Sequence, residues 1–282
     1  VPLAGVSLSR EVLDAALVRA AIGAGVTFLP GTHARLGRSS SELYLEQRSG
    51  TVVARARVVL AADGLGGGLL ARAGGRASPE RQARIGAGVV LDGAPGFYQA
   101  GVVYMACDRQ GYVGLVRLED GRLDLAAALD VSAVRQAGGP GVAAAAILDR
   151  TGWPLLHGVA EAPWRGTPPL TRHMPQPGVE RAFAVGDAAG FVEPFTGEGM
   201  AWALAGGLAV APLVVRAVAG WQPALLREWQ ALHRRLVRNR EGACRLAAFL
   251  LRRPALVAGV VRVLRWLPWL AWPVVRSLNA GG

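Results

Sequence analysis

The stretch that most constrains this chain is residues 181–205, RAFAVGDAAGFVEPFTGEGMAWALA. Phe183, Ala184 and Val185 form a short apolar run that stops at Gly186-Asp187, as a buried strand does. A loop punctuated by glycine and proline follows, from Gly190 to Gly199. From Met200 onward, Trp202, Ala203, Leu204 and Ala205 read as the start of a helix. A loop that ends in Gly-Glu-Gly and opens a helix presents free backbone N–H groups at the positive end of a helix dipole. Such a nest suits an anion, or a ring that carries negative charge on an oxygen or nitrogen. Asp187, at the carboxyl end of the strand, is placed to accept hydrogen bonds from hydroxyls. The plainer alternative is a strand–loop–helix whose glycines only make turns.

The fourteen residues GDAAGFVEPFTGEG resemble, in type and order, the flavin-contacting GD motif of FAD-dependent monooxygenases. Geranylgeranyl-reductase-like and flavin-halogenase-like enzymes share that motif. The resemblance implies that Asp187, after Gly186, holds the ribityl chain of FAD. It implies that Pro194, Gly197 and Gly199, with Met200 and Ala201 at the helix start, set backbone amides against the pyrimidine side of the isoalloxazine.

Composition narrows the setting. The 282 residues suffice for one large or two ordinary domains. They are 52% hydrophobic, with a mean hydropathy of +0.30. Even so, no apolar run reaches the ~20 residues of a spanning helix. Cys107 and Cys244 make neither a disulfide framework nor a metal cluster, and the four histidines show no ligand spacing, so no metal is expected. Without a signal peptide, a reducing cytoplasmic setting is expected. Charge is lopsided. Residues 1–215 carry 19 Arg against 18 acidic residues, whereas residues 216–282 carry 12 Arg against Glu228 and Glu241 alone. The excess of +11 therefore describes the C-terminal segment rather than the body.

In chain order, an apolar lead-in (1–8) comes before Ser9, an N-cap candidate with Glu11 in the first turn. Val12, Leu13, Ala16, Leu17, Ala20 and Ala21 repeat at helical spacing up to Gly23 and Gly25, and Val26–Leu29 reads as a strand. In the family, an arginine just inside this helix reaches FAD near its phosphate–ribityl region. Arg10 holds that place, with a solvated first-turn arginine as the equal alternative. Residues 34–60 alternate like a hairpin and lead into Asp63-Gly64, which resembles the family's DG motif near the cofactor pyrophosphate. The usual Ser and Arg of that motif are replaced by Gly66-Gly67-Gly68 and a later Arg72.

Strand-like runs fall at Ile85–Leu91, Tyr98–Cys107, Gly111–Leu118 and Leu123–Leu129, with a helix over 133–150 and a returning loop over Pro163–Pro177. His157, Trp164, Arg172 and His173 could approach a pocket, although each is more often a surface or packing residue. The resemblance makes this layer the substrate domain. The prenyl-reductase sheet motif survives there only as Tyr112, and the halogenase Trp-x-Trp-x-Ile-Pro motif is absent.

The helix over 200–218 is expected to be buried, with a break at Pro212. Residues 223–251 place Leu225, Leu226, Trp229, Leu232, Leu236 and Val237 on one face of an Arg-studded helix. Residues 255–278 mix Trp and Leu with Arg262, Arg265 and Arg276, interrupted by Pro268 and Pro273. That pattern is read equally as an interfacial membrane helix or as a cap on the body. Nucleic acid is disfavoured because the tryptophans lie among apolar side chains.

The expected fold is α/β. It comprises a Rossmann-like FAD-binding domain (1–75 and 176–222), an inserted antiparallel β-sheet substrate domain (76–175) and a C-terminal basic helical segment (223–282). The family's opening Gly-x-Gly-x-x-Gly fingerprint has no counterpart here, so the FAD domain is read as N-terminally incomplete. The resemblance implies a FAD-dependent oxidoreductase, with NAD(P)H as reductant and an apolar or aromatic small molecule as substrate. Hydroxylation is the leading chemistry, with alkene reduction as in geranylgeranyl reductases the alternative. A non-catalytic, membrane-associated scaffold is the reading from another class. No catalytic side chain is singled out, and the oligomeric state is left open.

Overall fold

The computed structural model describes residues 8–75, 77–154, 156–193, 195, 197, 199–251 and 253–272. Pro194, the lead-in 1–7, and the stretch 273–278 with Pro273 and Arg276 lie outside the described residues, as do the side chains of Arg72 and Val237.

The chain begins with α1 (Arg10–Gly23), then β1 (His33–Leu36), β2 (Glu42–Gln47), β3 (Gly50–Arg55), β4 (Val59–Ala61) and β5 (Ser78–Pro79). There follow β6 (Ile85–Leu91), β7 (Val103–Asp108), β8 (Gly111–Arg117), β9 (Leu123–Leu129), α2 (Val131–Ala137) and α3 (Pro140–Arg150). The return runs through β10 (Arg165–Pro169), β11 (Arg172–His173), β12 (Gly178–Val179) and β13 (Ala182–Ala184). Three helices complete it: α4 (Gly199–Ala219), α5 (Pro223–Leu251) and α6 (Pro254–Trp266).

Two compact units divide these elements: residues 1–14, 87–166 and 247–282 form one, and residues 15–86 and 167–246 the other. The first unit is built on a five-stranded sheet of order β10-β6-β9-β8-β7, in which β7, β8 and β9 pair antiparallel. Strands β8 and β9 alternate apolar side chains inward, and Val113, Leu115, Leu123, Leu125 and Leu129 pack with Ala143, Ala144 and Ile147 of α3. The helix expected over 133–150 is two helices. Gly138 (φ 82°) ends α2 in the left-handed region, and Pro140 starts α3 at its first position. The segment 163–177, expected as a loop, contributes β10 to the five-stranded sheet and β11 to a pair with β5.

At the start of the chain Ser9 caps α1, its Oγ accepting from the Val12 N–H at 3.2 Å. The same hydroxyl and the Ser9 N–H donate to the Glu119 carboxylate at 2.6 and 2.9 Å, which holds that carboxyl below its usual range. The apolar stripe of α1 buries nothing, contrary to what its spacing suggests, and Val12, Leu17 and Ile22 are exposed. The strand expected over Val26–Leu29 is irregular chain with no ladder partner among the described residues, and Val26, Phe28 and Leu29 are also exposed.

In the second unit β1, β2 and β3 form an antiparallel meander. A separate three-stranded sheet has the order β12-β13-β4, with β13 parallel to β4 and antiparallel to β12. Strand β13 is buried on both faces. Ala182 and Ala184 point toward Leu36, Val59 and Leu70, while Phe183 and the following Val185 point toward Val210, Leu213, Leu225 and Trp229 of α4 and α5. Helix α4 runs unbroken through Pro212. It is long and apolar enough to cross a membrane, yet its Gly206, Val210, Leu213 and Ala217 are buried in this unit. The expectation that this helix is buried holds for that one stripe, which faces the sheet, and not for Leu204, Leu208 and Val215, which are exposed.

Candidate functional site

Parallel strands place their carboxyl ends together, and in open α/β sheets ligands bind outside those ends. Here the parallel pair β4 and β13 delivers Asp63 and Asp187 to the same edge, in register through Val59–Ala182 and Ala61–Ala184. The Val185 N–H donates to Ala61 O at 2.9 Å and carries the pairing one residue further.

After β13 the chain turns sharply into a 3-10 turn, Gly186–Ala189. Gly186 has φ +56°, and a Cβ there would lie 3.2 Å from Ala203 Cβ of α4. Only glycine gives both the left-handed backbone and the close helix approach. Asp187 follows, inside a cavity of about 370 Å³ whose walls also include Arg172, His173, Phe191, Trp202 and His233. The Trp202 indole N–H and the Arg172 Nε are buried there without a hydrogen-bond partner among the described residues. Unspent donors in a cavity wall are what a ligand's acceptor atoms satisfy. Burial lowers the His233 pKa to about 4, so its imidazole is neutral at pH 7.

The loop leading to α4 is anchored on three sides. Phe191 exchanges backbone hydrogen bonds with Arg172 at 2.8 and 3.0 Å. The Glu193 N–H reaches Thr171 Oγ1 at 3.4 Å. The Glu193 carboxylate pairs with Arg84 at 3.2 Å, their side chains 4% and 0% exposed. Arg172 also donates from its guanidinium to Leu65 O and, at 3.2 Å, to Ala77 O. One residue therefore joins the two loops, its side chain holding the loop after Asp63 and its backbone the loop after Asp187.

The other site candidates fall as follows. Asp63 accepts the Leu69 N–H at 2.8 Å and closes its own loop, which opens with the 3-10 turn Gly64–Gly66. Gly197, Met200 and Ala201 are exposed, and Gly199 begins α4 beside the Phe191 ring. Arg10 makes a two-pronged ion pair with Asp14 one turn along the exposed surface of α1, at 3.0 and 3.2 Å. Among the residues that the sequence left as surface or packing positions, Arg172 and His173 line the cavity, His157 is exposed, and Trp164 donates to Val159 O at 2.7 Å. Sequence reasoning missed His233 and the Arg84–Glu193 pair. The signal for His233 was its place one turn after Trp229 on the buried face of α5. Nothing in the sequence pairs Arg84 with Glu193 across 109 positions.

No family model and no curated protein matches this chain. Solved structures do. The flavin-dependent brominase Bmp2 superposes with a TM-score of 0.71 at 15% identity, over 95% of this chain and 69% of that one. PqsL of P. aeruginosa, in complex with 2-aminobenzoylacetate, gives 0.63 at 20% identity over 90% of this chain and 73% of its own. The flavin-dependent halogenase CmlS gives 0.63 at 18% identity over 81% of this chain, which spans 44% of the CmlS length. These likenesses establish the fold: a mixed α/β architecture shared with flavin-dependent halogenases and PqsL.

Proposed function

We propose that this chain is a FAD-dependent oxidoreductase, and that it hydroxylates an apolar or aromatic small molecule using electrons from NAD(P)H. The observation that carries the reading is the Asp187 turn, set at the carboxyl edge of a parallel strand pair and opening on a cavity with unspent donors. The residues fit the cofactor. A cavity of about 370 Å³ whose walls combine Met174, Phe191 and Trp202 with Asp187 and Arg172 suits a flat heteroaromatic ring with polar edges. Asp187 accepts from ribityl hydroxyls, while Trp202 and Arg172 can donate to ring or chain oxygens. Bound FAD would supply two-electron redox chemistry, with the protein providing placement and electrostatics.

The first turn of α4, at Gly199, Met200 and Ala201, would offer its free backbone N–H groups to negative charge on the ring. The Arg84–Glu193 pair and the Phe191–Arg172 backbone bonds fix the loop that leads there. Neutral His233 adds no charge to the cavity wall. Asp63, which accepts the Leu69 N–H, shapes the neighbouring edge. Hydroxylation is favoured over alkene reduction because only Tyr112 remains of the prenyl-reductase sheet motif. The bound molecule in PqsL is itself a small aromatic compound.

The reading is tested by loading the protein with FAD and adding NADH or NADPH without oxygen. Bleaching of the flavin's visible absorption, followed by its return on admitting air, is the expected result. Flavin that binds but never bleaches with either nucleotide removes NAD(P)H from the account. Protein that takes up no FAD removes the enzyme reading altogether.

A further inference from the structure

Helix α6 and the turn after it place a basic, tryptophan-rich surface on the outside of the molecule. Trp266, Trp269 and Trp272 are 80%, 63% and 57% exposed, and Leu267 and Leu270 between them are exposed as well. On α6 the exposed Leu256, Val260 and Val263 recur at helical spacing along one side, while exposed Arg262 and Arg265 fall on the opposite side. None of these apolar side chains belongs to a buried cluster among the described residues. From residue 242 to 282 the chain has six arginines and no Asp or Glu.

We infer that residues 253–272 form a peripheral anchor lying in the interface of an anionic lipid surface. Leucine and valine enter the acyl boundary, indoles sit at headgroup level, and arginines snorkel to phosphates. At about 1.5 Å per residue, the 13-residue α6 is too short to cross a bilayer, so it lies in the plane. Charge chooses among occupants. A second copy of this face would bring arginine against arginine with no carboxylate to compensate, whereas an anionic leaflet supplies the missing charge. A nucleic acid would leave the leucines and valines in water. The inference does not depend on the flavin reading.

The full-length chain is sedimented with vesicles of phosphatidylcholine alone and of phosphatidylcholine mixed with phosphatidylglycerol. Binding is expected to the anionic vesicles and to weaken with salt. R262Q/R265Q should lower that affinity by about thirtyfold, given roughly 1 kcal/mol per arginine near such a surface. W266A/W269A/W272A should abolish binding while circular dichroism and melting stay those of the parent. Equal sedimentation with both vesicle types, or no sedimentation with either, overturns the inference, as does undiminished binding by the tryptophan variant. A dimer in sedimentation velocity that the tryptophan variant dissolves would assign the face to a second copy instead.

Discussion

Arg84 and Glu193 bury a full ion pair one residue before position 194, and removing one partner leaves the other charge in the interior. Glu193→Met is expected to lower stability by about 3–5 kcal/mol, and Arg84→Met/Glu193→Met to recover much of that loss, because the pair's own desolvation cost disappears with it. Urea denaturation of the singles and the double measures this. Singles within about 0.5 kcal/mol of the parent would show that the pair is hydrated. His233 makes a pH prediction. Its folded pKa of about 4 lies below the unfolded value near 6.5, so the unfolded chain binds the extra proton between those values. Its contribution is whole above pH 6.5 and is lost as pH falls toward 4, by at most about 3 kcal/mol. His233→Phe should flatten that part of the stability–pH curve. An unchanged slope would mean that the imidazole is solvated.

Two elements decide how well the Asp187 edge is formed. The turn after β13 needs Gly186, and Gly186→Ala should cost about 1–3 kcal/mol through a left-handed backbone and a Cβ pressed on Ala203. A melting temperature equal to the parent's would contradict the packing described. Arg172 joins the loops after β4 and β11 to the one after β13. Arg172→Leu should therefore raise amide exchange over residues 64–70, where the guanidinium is bound, and leave Phe191, α3 and α5 protected, because residue 172 keeps its backbone bonds to Phe191. Uniform protection would show that the loops hold without it. At this scale the sequence carried most of the outline. The strand-like runs of β6, β8 and β9 and the strand–turn–helix around Asp187 were legible, because each is specified by neighbours in the chain. The exposure of α1 and α4 was not. A periodic apolar stripe shows that a face could be buried, but not what lies against it. Arg172 was named as able to approach a pocket, but its bonds were not legible for a related reason: its partners, Leu65 O and Ala77 O, are backbone atoms that any sequence would supply.

For the molecule as a whole, the fold is shared with flavin-dependent halogenases and PqsL, while the activity rests on the site. The central claim is that the Asp187 edge binds a flavin, and equilibrium titration of the full chain with FAD, read by quenching of the flavin's own fluorescence, tests it most directly. Saturable binding is predicted. Asp187→Ala should weaken it by roughly tenfold to a hundredfold, the worth of hydrogen bonds to a charged carboxylate. Absence of binding by the parent, or equal affinity in the two proteins, would contradict the account.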